Sequence, residues 1–87
     1  MNSGYRIEFV KRAAKQIKSL SPQVQKRLKL KIDALSQDPR PSGVIKLSGE
    51  ENLYRIRVGD YRVIYNIQDD RLLVLVVKVG HRRDVYQ

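Results

Sequence analysis

"NLYRIRVGDYRVIYNI", residues 52–67, decides the fold. Two runs of alternating apolar and polar side chains flank Gly59-Asp60, the pattern of half-buried strands joined by a two-residue hairpin loop. With those two residues as the loop, Val58 lies opposite Tyr61, Arg57 opposite Arg62 and Ile56 opposite Val63. Side chains alternate between faces, so Tyr54, Ile56, Val58, Tyr61, Val63 and Tyr65 share the face that must be buried. Arg55, Arg57 and Arg62 share the other. Like charges directly opposed in a sheet are destabilising, so three arginines held on one face mark a seat for an anion. The competing reading splays Arg57 and Arg62 into solvent as ordinary edge residues.

Downstream, "RLLVLVVKV" (71–79) is apolar on both faces and belongs in the interior of the sheet. A tight turn near Asp69-Asp70 predicts Val76 and Val77 beside Val63 and Arg62, with the strand exit next to Gly59. The tail "GHRRDVYQ" (80–87) then reaches the arginines, Gly80 allowing a sharp departure and delivering His81, Arg82 and Tyr86 to the rim of the site. His81 is the single histidine and there is no cysteine, so no metal site is expected; His81 stays open between a plain loop residue and a proton-transfer group. Tyr86 is open between capping the core with its ring and a functional role. Glu50-Glu51 and Asp69-Asp70 read as loop pairs and Asp84 follows two arginines, which gives no support to a two-metal nuclease.

Upstream, "YRIEFV" (5–10) alternates as a first strand, and Ala13, Ala14, Ile17 and Leu20 recur at helical spacing over residues 11–20. Ser21-Pro22 supplies an N-cap and a first-turn proline for a second helix striped by Val24, Leu28, Ile32 and Leu35. That helix should stop near Gln37, before "DPRPSG" (38–43). The whole is an α+β domain spanning 1–87: a strand, a two-helix hairpin, an antiparallel meander of three strands and a short C-terminal element, with the helices on one sheet face.

Charge narrows the partners. The 87 residues carry 18 Lys and Arg against 9 Asp and Glu, net +9, and the first 40 residues hold 10 of the basic side chains and 3 of the acidic ones. So basic a chain attracts polyanions. Lys26, Arg27, Lys29, Lys31, Lys46 and Arg83 are the cations expected to meet such a partner, an RNA, a DNA or an acidic protein, although each lysine taken singly also suits a solvated face. One phenylalanine and no tryptophan leave few platforms for a module that only binds RNA. The absence of cysteine fits a reducing cytoplasm, and "LLVLVV" (72–77) is too short to span a membrane.

The segments "YRIRVGDYRVIY" (54–65), "VVKVGHRRDVY" (76–86) and "LSPQVQKRLKLKIDAL" (20–35) resemble the RelE branch of the RelE/ParE toxin superfamily, over essentially the whole chain. The resemblance implies the toxin of a type II toxin–antitoxin pair that enters the ribosomal A site and cuts messenger RNA without a metal or cofactor. It also implies a small RelB-like antitoxin that wraps the toxin, and contact with operon DNA only through that antitoxin. Carried over by position, the family's catalytic residues fall on Arg55, Arg57, Arg62, Arg82 and Tyr86. The best-studied members have lysines where this chain has Arg55 and Arg57; arginine stays protonated, so the identity of a general base is open. The ParE branch, which inhibits DNA gyrase and has no nuclease site, is the alternative within the superfamily.

Overall fold

The structure is a computed structural model, describing residues 4–49, 51–81 and 83. Strand β1 (Arg6–Phe9) leads into helices α1 (Lys11–Lys18) and α2 (Pro22–Ala34), followed by β2 (Ile45–Lys46), β3 (Leu53–Val58), β4 (Tyr61–Gln68) and β5 (Leu73–His81). The five strands form one sheet in the order β1-β5-β4-β3-β2, with β1 parallel to β5 and the other pairs antiparallel. The α+β class and the interior place of β5 are as the sequence predicts; β2 and the parallel pairing of β1 add to the expected meander.

Local chemistry accounts for the helical hairpin. The Ser21 hydroxyl accepts from the Val24 N–H at 3.3 Å and Pro22 opens α2, as the N-cap reading requires. Gln25 then donates its side-chain amide to the Leu20 carbonyl at 2.8 Å, satisfying an orphan acceptor behind α1 and closing the hairpin. α2 ends at Ala34 rather than Gln37. The chain from Leu35 to Gln37 continues in tighter turns, each N–H bonding three residues back.

Both helices pack on one face. Ala13, Leu28, Ile32 and Leu35 meet Tyr54, Ile56, Val58, Val63, Tyr65, Ile67, Val74, Val76 and Val79 in a single core. Tyr65 is wholly buried, which pushes its phenol up, and its hydroxyl donates to the Pro39 carbonyl at 2.7 Å. This bond pins the loop behind α2 to the sheet.

The β3–β4 register is the predicted one: Val58 faces Tyr61, Arg57 faces Arg62 and Ile56 faces Val63. Gly59 takes φ +62° at the first loop position, which a two-residue hairpin of the II′ kind demands and glycine grants without steric cost. The β4–β5 register differs from expectation. Val63 faces Val79 and Arg62 faces Gly80, three residues further along than the sequence reading has it. Two of the three come from the connection, which occupies Asp69 to Leu72 and ends with Leu72 in a left-handed conformation at φ +49°. The third is a β-bulge: Tyr65 faces Val76 and Ile64 faces Lys78, leaving Val77 as the extra residue. Gly80 consequently lies within β5 instead of at a sharp exit. The expected C-terminal element lies outside the described residues except for Arg83.

Candidate active site

The sheet face turned away from the helices carries the arginines. Its first rung is Arg57–Arg62–Gly80, and the next is Ile45–Arg55–Ile64–Lys78, each residue directly opposite its neighbour. Arg57 and Arg62 are therefore cross-strand partners, and glycine beside Arg62 adds no side chain to the rung. Arg55 and Arg62 are both only 7 % exposed, whereas Arg57 is open to solvent. The stem of Arg55 has an isoleucine on each side, a place where a long aliphatic chain buries well. Neither buried arginine is free; each is engaged in a polar or ring contact.

Arg57 also borders two adjoining grooves along α2. One, of about 600 Å³, lies between α2, the 41–45 loop and β3, with Lys31, Arg55 and Arg57 in its walls. The other runs past Gly59 and adds Arg27 and Leu30 to Lys31 and Arg57. Because β2 has only two residues, pairing with Tyr54 and Arg55, β3 runs on toward Gly59 with no neighbouring strand on that side among the described residues. The cations of α2 and of the sheet thus meet at an open edge.

The structure sorts the candidate residues. Arg55, Arg57 and Arg62 come together, with Arg27 and Lys31 at their border. Lys26 and Lys29 lie elsewhere on α2, lining a depression with Phe9 and Ile17, and Lys29 is paired with Asp33 at 3.0 Å. Lys46 is exposed opposite Tyr54, which puts it on the helix side of the sheet edge. His81 faces Tyr61 and so shares the helix-side face, its ring edge-on to Tyr61 at 5.6 Å and its Nδ1 accepting from the N–H of exposed Arg83 at 3.4 Å. The arginines occupy the reverse side. Arg82 and Tyr86 lie outside the described residues. Among the described residues no group of three or more His, Asp or Glu gathers as a metal site would need.

Sequence reading passed over Lys78, which the bulge carries onto the arginine face. No sequence signal marks it, because residues 72–77 are apolar throughout and offer no alternation for a bulge to interrupt.

A second polar cluster stands at the far end of the sheet. Arg40 grips Asp69 with two guanidinium nitrogens at 3.2 and 2.9 Å, Tyr5 donates to the same carboxylate at 2.6 Å, and Arg40 lies 5.1 Å from the Tyr54 ring centroid. The Arg40 hydrogen bonds, followed by that of Tyr5, hold the Asp69 carboxyl below its ordinary range, and the bond to Asp69 raises the Tyr5 phenol. This clamp joins the residue before β1, the 38–43 loop and the β4–β5 connection.

Known proteins share this fold. A family model described as the ParE toxin of the type II toxin–antitoxin system parDE matches residues 7–86. The mRNA interferase toxin RelE of Escherichia coli strain K12 is 32 % identical over 80 residues, spanning 90 % of this chain and 83 % of that protein. The archaeal RelE–RelB complex from Pyrococcus horikoshii OT3 matches with a TM-score of 0.82 and 34 % identity, over 97 % of this chain and 99 % of that one. The intact Escherichia coli RelBE toxin–antitoxin complex matches at 0.79 and 32 %, over 88 % and 95 %. The family model takes its description from ParE, whereas these relatives, at 32–34 % identity, are RelE proteins. The chain belongs to the RelE branch of the RelE/ParE superfamily, as a toxin of a type II toxin–antitoxin system.

Proposed function

We propose that this toxin is an endoribonuclease that cuts messenger RNA on the ribosome. The observation that carries the reading is the Arg57–Arg62 rung, two cations held face to face where a phosphate can sit between them. In RNA cleavage of this kind the ribose 2′-oxygen attacks the adjacent phosphorus, its proton leaves to a base, and the bond from phosphorus to the 5′-oxygen breaks as that oxygen takes up a proton. Negative charge builds on the phosphate oxygens on the way. Arg57 and Arg62 hold that charge, Arg55 steadies the neighbouring backbone, and Arg82 and Tyr86, placed by the family pattern alone, serve the leaving oxygen and a base or proton. His81, on the other face, takes no part. The arginines stay protonated and cannot accept the nucleophile's proton, so alignment of the RNA by the ribosome supplies much of the rate.

The RelE interferases among its relatives support this reading. A RelB-like antitoxin is the expected partner, because related toxins were solved in complex with RelB. The cytoplasm, where ribosomes are, is the expected location. The ParE description of the family model favours one second reading, a gyrase inhibitor. Expression without antitoxin, followed by pulse labelling, separates the two. Translation should stop first; DNA synthesis failing while translation continues would overturn the nuclease reading.

A further inference from the structure

Lys78 is the lysine of the arginine face. Val74 and Val76 point into the core, and an unbroken strand would send residue 78 in after them. The extra residue at Val77 reverses the alternation. Val79, only 2 % exposed, takes the core position instead, and Lys78 and Gly80 fall on the face of Ile64 and Arg62. Bulges disrupt a ladder locally and re-aim side chains, and they concentrate beside active sites.

A structural explanation is available, since the bulge also keeps an ammonium group out of the core. It leaves the lysine itself unexplained: an apolar residue at 78 would need no bulge. Lys78 moreover makes no ion pair and no side-chain hydrogen bond among the described residues, whose ion pairs are Arg6–Glu8, Lys29–Asp33 and Arg40–Asp69. It lies opposite Ile64 and diagonal to Arg62, at a spacing of about 7–8 Å for such neighbours. A cation with no ion-pair or hydrogen-bond partner among the described residues, placed one rung from a pair of arginines, suits a second phosphate of the same strand.

We propose that Lys78 binds the RNA phosphate next to the one held by Arg57 and Arg62, as a point charge that fixes the register of the strand. This rests on the nuclease reading above. The test is single-turnover cleavage of a message in purified stalled ribosome complexes, at matched occupancy, for the parent, Lys78→Gln and Lys78→Arg. Loss of one charge-assisted contact corresponds to roughly a 10- to 100-fold slower cut for Lys78→Gln. Lys78→Arg should cut within a few-fold of the parent, because it keeps the charge, and both variants should melt where the parent does. A parent that leaves the message intact overturns the nuclease reading and this assignment with it. A parent that cuts beside an equally fast Lys78→Gln overturns this assignment alone, as does a Lys78→Arg as slow as Lys78→Gln.

Discussion

Replacing Arg57 by threonine should make the free toxin more stable and far less active. Arg57 sits directly opposite Arg62, which is 7 % exposed, and Lys31 shares its grooves. Relieving a like-charge cross-strand pair gains about 0.2–1 kcal/mol, and threonine suits a half-exposed strand position at least as well. In a domain of this size 1 kcal/mol moves the melting temperature by roughly 4–8 °C, so a rise of about 1–8 °C is expected at low salt. The gain should shrink in 1 M salt, where screening acts within about 3 Å. Cleavage should fall about 10²- to 10³-fold, the usual loss for one preorganised donor to a charged transition state. Calorimetry of the antitoxin-free protein at two salt concentrations measures the first effect. A lower melting temperature for the variant at low salt would show that the arginine stem packs more than its charge repels, and would refute the view that Arg57 and Arg62 repel one another across this rung.

Asp69→Asn should destabilise the toxin near neutral pH, because a carboxyl held below the usual value of about 3.9 contributes stability above that pH and loses it as pH falls through the folded value. Parent and variant should therefore converge in acid; equal melting at pH 7 would contradict the clamp. Tyr65→Phe strands the buried Pro39 carbonyl and should cost about 1–3 kcal/mol, read as a lower denaturant midpoint with an unchanged slope. Arg27→Ala with Lys31→Ala should weaken ribosome binding, and flatten its logarithmic salt slope by about 0.7–0.9 per lost phosphate contact, more than Lys26→Ala with Lys29→Ala does. The first pair borders Arg57, while Lys29 is already tied to Asp33. Equal slopes for the two double variants would make α2 a uniformly solvated face.

The arginine rung could be read in advance because a glycine-led two-residue loop fixes register, and register fixes which side chains share a face. No such marker exists for the β4–β5 connection. Leucine at position 72 gives no hint that the chain turns left-handed there, and a bulge after Val76 does not stand out in a strand apolar on both faces. The two hidden features moved Gly80 opposite Arg62 and His81 to the helix side, the reverse of the face that carries the arginines. The two-residue β2 and the parallel β1–β5 pair depend on which distant segments meet, which local pattern does not state. The same holds for the clamp, whose Tyr5, Arg40 and Asp69 come from three separate segments.

The most direct measurement is primer extension on a defined message held in purified ribosomes, with the same message free in solution as the companion sample. Incubated with the parent toxin, the ribosome-bound message should be cut within the A-site codon and the free message should stay whole, while Arg62→Ala, which takes one cation from the rung, should cut at least about 10²-fold more slowly. An intact ribosome-bound message, together with loss of gyrase supercoiling in a parallel reaction, would contradict the nuclease reading and move this toxin's target from RNA to gyrase.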